Sequence, residues 1–191
     1  MASIIQTDYH MHSTFSLDGH HTPQELSRQA QALGLTQIAI TDHVEWEPGG
    51  RHQRPDFHRY FEALEASRRE FGPQGLTIHS GVELGNPHEH RAEVEALLAA
   101  FPFDIVIASL HWLDGVNIHY TSCFAGRDPT DVYAAYFTEF GRIAATVDCD
   151  VMAHFDRILW RGALLGAPLE PQAIEGVVRD ALATIAWRGL A

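Results

Sequence analysis

The segment Asp8-Tyr9-His10-Met11-His12 ends the first of several short runs rich in apolar and β-branched residues in this chain. These runs alternate with longer segments of helical periodicity, a pattern that is typical of an α/β fold with a parallel sheet or barrel. The pattern predicts strands at residues 4–12, 37–43, 77–84, 104–112 and 150–156. It predicts helices at residues 23–33, 56–71, 87–100, 129–146 and 171–188.

Several predicted helices begin with a local start signal. The segment Thr22-Pro23-Gln24-Glu25 has the pattern of a capping box, and Gly34 follows the last turn of the same helix. Asn86-Pro87 and Asp128-Pro129 repeat the arrangement of a capping residue before a proline. The irregular stretch 45–55 is rich in Gly, Arg and His, and we interpret it as either an active-site lid or a plain surface loop.

The composition limits the classes of function. The 191 residues fit one domain, and 46% hydrophobic against 20% charged residues is ordinary for a globular chain. The 13 basic residues are all arginine, which excludes a Walker-type phosphate loop and a Schiff-base lysine. A formal net charge of −12 disfavours binding to long nucleic acids, and 13 histidines in so acidic a chain point towards a metal site.

No export signal or membrane span is visible in the sequence. The N-terminal residues lack the basic segment and apolar run of a signal peptide. No uncharged apolar stretch approaches the ~20 residues that a spanning helix needs. Cys123 and Cys149 are too few for a disulfide framework. We therefore expect a cytoplasmic protein that binds no membrane and whose cysteines are ordinary buried or half-buried thiols.

Metal-ligand side chains collect where the predicted strands end. The five ends carry His10, His12, Asp42, His43, Glu83, His111, His154 and Asp156. Because side chains alternate along a strand, His10 and His12 lie on the same side of the first one. In (β/α) barrels the carboxyl ends of the strands form the active-site face. Imidazole and carboxylate together suit Zn, Mn or Fe better than Ca or Mg, so the pattern predicts a metal centre.

The order and spacing of these residues resemble the PHP (polymerase and histidinol phosphatase) superfamily over nearly the whole chain. The matching motifs are Asp8-x-His10-x-His12-x-x-x-Ser16-x-Asp18, Thr41-Asp42-His43, Gly81-x-Glu83, Ser109-x-His111 and His154. The segments Ser109-Leu110-His111-Trp112-Leu113-Asp114-Gly115 and Ala153-His154-Phe155-Asp156-Arg157 are most similar to its histidinol-phosphatase branch. The resemblance implies a distorted TIM-like (β/α)7 barrel with a trinuclear metal site.

The resemblance also implies a role for each matching residue. The implied metal ligands are His10, His12, Asp18, His43, Glu83, His111 and His154. The first two would hold one ion, with Glu83 bridging to a second ion that Asp18 and His43 complete. The last two histidines would hold a third ion. Asp8 and Asp42 would orient imidazoles from behind.

One departure from the family pattern is large. The family closes its barrel with a strand carrying a Ser-Asp-x-His-like motif, whose Asp and His are also ligands, and no such motif follows position 156. Five βα units are predicted where the family has seven. We therefore expect one domain over residues 1–191 that lacks the last strands of the barrel. An unpaired sheet edge of this kind favours aggregation or dimerisation, the latter as a homodimer.

The expected activity is metal-dependent hydrolysis of a phosphate monoester. The resemblance favours histidinol phosphate, which places the chain in histidine biosynthesis, with two or three divalent ions as cofactors. Such ions lower the pKa of bound water and supply hydroxide near neutral pH, while no residue is assigned as general acid. Arg157 and Arg161 are candidates for a phosphate clamp because guanidinium pairs with phosphate in two places. Both arginines are equally compatible with surface positions. His119 is a candidate substrate contact, although its position favours an ordinary surface histidine.

Three alternatives stay open at this point. The chain could be a PHP phosphoesterase that acts on nucleotides or other small phosphate esters. It could be an amidohydrolase-type enzyme, a class that also uses His-x-His on its first strand. Many of those enzymes bridge two metals with a carboxylated lysine, and here Glu83 would have to replace it because the chain has no lysine. It could also be a metal-binding PHP domain without catalytic activity.

Overall fold

The computed structural model describes residues 6–191, except for the side chain of Arg51; residues 4–5 of the first predicted strand lie outside them. The strands are β1 (Thr7–Met11), β2 (Gln37–Glu47), β3 (Arg51–Gln53), β4 (Thr77–Gly85), β5 (Ile105–Ser109), β6 (Trp112–Leu113), β7 (Val116–Asn117) and β8 (Val151–Met152). The α-helices are α1 (Pro23–Ala32), α2 (Phe57–Phe71), α3 (Arg91–Ala100), α4 (Pro129–Thr146), α5 (Arg157–Leu164) and α6 (Pro171–Arg188). Short 3₁₀ turns lie at Gly72–Gln74, Pro87–Glu89 and Thr121–Phe124.

The first of two compact units comprises residues 6–45, 52–84 and 93–107. In this unit β1 runs parallel to β2, and β2 runs parallel to β4 in an unbroken register. The register places His43 directly opposite Glu83, with apolar residues of both strands buried around them. Helix α1 packs against α2. Parallel strands buried in this way read as nearly continuous apolar runs, which is why the sequence pattern reveals them.

The second compact unit comprises residues 46–51, 85–92 and 108–191. Its largest helices, α4 and α6, pack against each other, and α4 buries an aromatic face that includes Tyr136 and Phe140. Strands β6 and β7 form a small antiparallel hairpin. Beside β8, the Met152 N–H donates to the Ala191 carbonyl oxygen and the Ala191 N–H donates to the Asp150 carbonyl oxygen.

The predicted α/β class with parallel strands is confirmed, and so are several local signals. Helices α4 and α6 have the predicted bounds. Thr22 and Glu25 form the complete capping box at the start of α1, and Gly34 follows that helix with a φ of 80°. Asp128 caps α4 through its side chain. The expectation of a single domain over residues 1–191 stays a prediction.

Other element predictions were wrong. The helix expected at 87–100 is a 3₁₀ turn followed by the shorter α3, because Asn86 is left-handed and does not cap it. The strand expected at 150–156 ends at Met152. The stretch 45–55 is not simply a loop, since β2 continues into it and β3 pairs back onto β2. The hairpin of β6 and β7 and helix α5 were not predicted at all.

Within residues 6–191, each helix is either too short or too polar to cross a membrane.

Candidate metal centre

Three imidazoles surround one buried carboxylate oxygen in the first unit. Glu83, on β4, is completely buried, and its Oε2 lies 3.0 Å from Nε2 of His12 and 3.1 Å from Nδ1 of His43. Nε2 of His10 lies 3.7 Å from the same oxygen. A carboxylate without solvent is stable only beside cations or donors, so this arrangement calls for positive charge within the cluster.

A second group of ligands adjoins the first. Oδ2 of Asp18 lies 3.1 Å from Nδ1 of His12 and 3.3 Å from Nε2 of His43. Each of the two groups, His10 with His12 and Glu83, and His12 with Asp18 and His43, offers ligand atoms that all lie within 4.8 Å of one another. Imidazole with carboxylate is a donor set for Zn, Mn or Fe, so these residues fit divalent metal ions.

The pKa directions agree with a strongly polarised cluster. Burial by itself lowers the pKa of His12, but the carboxylates of Glu83 and Asp18 outweigh it and raise that pKa above its usual value. Burial likewise raises the pKa of Asp18, and the imidazoles of His43 and His12 reverse this and hold it below its usual range. These pairs of opposite charge therefore favour the charged form of both His12 and Asp18.

The loop after β1 is held in place by a buried carboxylate. Both oxygens of Asp42 accept hydrogen bonds, from the Ser13 N–H, the Ser13 hydroxyl and the Ser16 hydroxyl, each at 2.7 Å. The Ser16 hydroxyl oxygen accepts in turn from the His43 N–H at 2.8 Å. At Gly19 a side chain would collide with the Ser13 carbonyl, so the loop that carries Asp18 needs glycine there. Asp42 thus fixes the path of the loop.

The expected roles of Asp8 and Asp42 are corrected by these contacts. Asp42 contacts serines and the loop backbone rather than an imidazole, because its side chain lies under the loop of residues 13–16. Asp8 is exposed and accepts from the His10 backbone N–H at 3.2 Å. On the other side of the His10 ring, Oγ1 of Thr41 lies 3.0 Å from Nδ1.

Glu45 is a candidate ligand that the sequence analysis missed. It is 9% exposed, and its Oε1 lies 3.1 Å from Nδ1 of His43. The available signal was its spacing, because a residue two positions after His43 shares its face if β2 continues. Since the predicted strand ended at residue 43, Glu45 was assigned to the loop.

The second unit carries the other two predicted ligands. The rings of His111 and His154 stack at 5.5 Å between centroids with 29° between their planes. His154 has a φ of 44°, a left-handed conformation that is costly for a residue with a Cβ and concentrates at functional sites. Its carbonyl oxygen accepts from the Tyr136 hydroxyl at 2.9 Å and from the Arg157 N–H at 3.0 Å. The surrounding structure therefore holds His154 in this conformation.

The predicted phosphate-binding residues also lie in the second unit, and Arg161 is not an ordinary surface arginine. It is 9% exposed, stacks over the Trp160 ring at 4.3 Å, and its Nη2 donates to Nδ1 of His119 at 2.9 Å. Its Nε is buried and has no hydrogen-bond partner in residues 6–191. Burial and the charges of Arg161 and Arg157 lower the pKa of His119, which keeps that ring neutral and able to accept.

The sequence is similar to known proteins over most of its length. The family model described as PHP domain matches residues 8–191. The histidinol-phosphatase of Lactococcus lactis subsp. lactis (strain IL1403) is 28% identical over 150 residues, which are 78% of this chain and 52% of the relative. The probable histidinol-phosphatase of Deinococcus radiodurans is 25% identical over 156 residues, 78% of this chain and 60% of the relative. The chain thus spans between half and two-thirds of the length of these relatives.

A solved structure confirms the fold class. The crystal structure of histidinol phosphate phosphatase from Lactococcus lactis, complexed with zinc, L-histidinol and phosphate, matches 97% of this chain and 71% of its own chain. The TM-score is 0.84 at 21% sequence identity. The TIM-like fold expected from the sequence is therefore shared with that protein.

Proposed function

This chain belongs to the PHP domain family, and on that premise we propose that it hydrolyses phosphate monoesters with the help of bound divalent metal ions. The observation that carries the proposal is the oxygen of Glu83, which is buried within reach of three imidazoles. Such a set of donors has an evident use as a metal site and little use in a packed core. Histidinol phosphate is the proposed substrate, since the relatives above are named for it.

The metal ligands are proposed residue by residue. His10 and His12 would hold one ion together with Glu83, and Asp18 and His43 would hold a second ion beside the same carboxylate. In the second unit, His111 and His154 are proposed to hold a further ion. When bound, the ions supply a water of lowered pKa and positive charge for the phosphoryl oxygens. Zinc is the first choice because a related structure contains it, with Mn and Fe as alternatives.

The arginines of α5 are proposed to hold the phosphate. Within residues 6–191, Arg161 has a buried Nε without a hydrogen-bond partner and a guanidinium oriented by His119 and Trp160, so its planar fork keeps donors for an anion. Arg157 adds a second positive charge on the same helix. The net charge of −12 is compatible with the cationic amino group of histidinol phosphate but does not by itself select this substrate over nucleotides.

The test is a substrate panel with metal added back. The purified chain is stripped with a chelator, reloaded with Zn, Mn or Fe, and assayed against histidinol phosphate, nucleoside monophosphates and amide substrates. We expect phosphate release from histidinol phosphate and its loss in His10→Gln. His58→Gln is the matched control, because His58 is exposed on α2 outside the cluster. Release from nucleotides alone would refute the substrate, and bound metal without any turnover would favour a non-catalytic domain.

Two further expectations belong to this proposal. A place in histidine biosynthesis follows from the substrate and stands or falls with the assay above. A homodimer and a cytoplasmic location stay predictions from the sequence.

A further inference from the structure

The side chain of Asn86 occupies an unusual position at the end of β4. The residue is 1% exposed and left-handed, with a φ of 48° and a ψ of 46°. Its backbone N–H donates to the Ser109 carbonyl oxygen at 2.8 Å, where β5 ends. The chain then turns away into the 3₁₀ turn at Pro87, and from that point the Asn86 side chain takes over the contacts to the segment after β5.

The Asn86 side chain binds the backbone of His111 and Trp112 through both its carbonyl oxygen and its amide nitrogen. Oδ1 accepts from the His111 N–H at 2.8 Å and from the Trp112 N–H at 2.9 Å. Nδ2 donates to the Trp112 carbonyl oxygen at 2.8 Å and to Oε1 of Glu89 at 3.0 Å. A carboxamide has the donor and acceptor of a peptide group, so Asn86 binds the Trp112 N–H and carbonyl as a strand would, while β7 pairs with the same segment.

His111 is thereby held at both of its backbone groups. Its N–H is bound by Asn86, and its carbonyl oxygen accepts from the Ile118 N–H at 2.9 Å. Because the N–H and the carbonyl of His111 are both held, its ring projects from a fixed point of the backbone and stacks on His154. Ligands must be held to within a fraction of an ångström for metal binding, and groups behind them commonly set that precision.

Position 86 requires a left-handed backbone and a side chain with both a donor and an acceptor, and asparagine provides both. It tolerates the left-handed conformation better than other residues with a Cβ. Glycine would suit the backbone but brings no side chain. Aspartate would keep the acceptor, yet its second oxygen would face the Trp112 carbonyl oxygen and the Glu89 carboxylate, where Nδ2 now donates.

From this geometry we propose that Asn86 is a positioning residue that fixes the backbone of His111 so that its ring, with that of His154, can hold a metal ion. The inference rests on the proposed function, because it assumes that these two histidines are ligands. Asn86 itself contacts neither metal nor substrate in this role.

The first measurement is amide hydrogen exchange on the unaltered chain without metal. We expect the His111 and Trp112 amides to be protected, and Asn86→Gly to speed their exchange by about tenfold or more. Asp114→Gly is the matched control, since Asp114 is also left-handed, with a φ of 51°, but its side chain pairs with Arg127 at the surface. Fast exchange of both amides in the unaltered chain would overturn the proposal before any variant is made.

The second measurement separates positioning from general stability. Zinc titrations would identify the site of His111 and His154 as the one lost in His154→Gln, and the other as the one lost in His12→Gln. We expect Asn86→Gly to weaken the first by about 10–100-fold and to leave the second unchanged. If the zinc affinity of Asn86→Gly is unchanged at both sites, or falls by the same factor at both, the positioning role is overturned and Asn86 has a merely structural role. If Asn86→Gly does not fold, Asn86→Asp carries the same comparison. Failure of the unaltered chain to bind zinc would count against the proposed function, while the exchange rates would still decide the role of Asn86.

Discussion

The buried hydroxyl of Tyr60 permits a quantitative test of how the fold supports the metal centre. The side chain comes from α2 and lies between β2 and β4, where its O–H is 2.6 Å from the Ile40 carbonyl oxygen and 3.0 Å from that of Gly81. The Gly81 N–H donates to the same hydroxyl at 2.8 Å. A hydroxyl has one proton, so the shorter distance identifies Ile40 as its main acceptor. Glu83 follows two residues after Gly81 on β4.

Tyr60→Phe keeps the ring, which packs edge-on against Phe15 and Phe57, and removes only the oxygen. Two buried backbone groups, the Gly81 N–H and the Ile40 carbonyl, each lose a hydrogen-bond partner. A stranded buried donor costs about 1–3 kcal/mol and a lost hydrogen bond about 1 kcal/mol, so we expect the free energy of unfolding to fall by about 2–4 kcal/mol. For a chain of this size each kcal/mol corresponds to about 2–4 °C in Tm.

The assay is urea unfolding followed by tryptophan fluorescence, with the slope of the transition checked for equality. Tyr9→Phe is the matched control, because its hydroxyl bonds Gln37 at 2.6 Å on the surface, where water can replace it. We expect that control to lose less than about 0.5 kcal/mol. A loss for Tyr60→Phe as small as that for Tyr9→Phe would refute the reasoning that this hydroxyl links the two strands.

Two further predictions concern buried groups of the second unit. Burial lowers the pKa of His88 even though Glu139 accepts from it at 3.0 Å, so the unfolded chain binds more protons than the folded one as the pH falls below the ordinary value of 6.5. The free energy of unfolding therefore falls on acidification. Between pH 7.5 and pH 5.5, it should fall less for His88→Gln than for the unaltered chain. Equal decreases for the two proteins in urea titrations would contradict this. Burial raises the pKa of the Cys149 thiol to about 11, so a thiol reagent at pH 8 should meet about a hundredfold less thiolate than in the unfolded chain, and equal labelling rates would disprove it.

The helix ends show where local sequence is sufficient. Helices α4 and α6 begin at Pro129 and Pro171 and have the predicted bounds, because a proline at the first turn and a capping side chain act within one turn of chain. Asn86-Pro87 has the same local pattern with a different outcome. There a partner 25 positions away, the His111 amide, binds the side chain and leaves it unable to cap.

The residues of the candidate site likewise divide into those that local sequence predicts and those that depend on distant contacts. The His-x-His spacing placed His10 and His12 on one side of a strand, since alternation along a strand is a local property. Glu45 was not predicted as a ligand because the direction of its side chain depends on how far β2 continues. The length of β2 depends in turn on its pairing with β3. Arg161 could not be told from a surface arginine until its stack on Trp160 and its bond to His119 were visible.

The sequence by itself determined the α/β class and the main helices, because these follow from periodicity and capping over a few neighbouring positions. The metal-ligand residues stay a prediction from the motifs at the strand ends. Only the tertiary structure decided that Glu83 is buried among three imidazoles, that Asp42 holds a loop instead of a ring, and that Asn86 supports His111. These contacts join residues far apart in the chain. Their strength depends on distance and on exclusion of water, and both are set only when the strands and helices have packed.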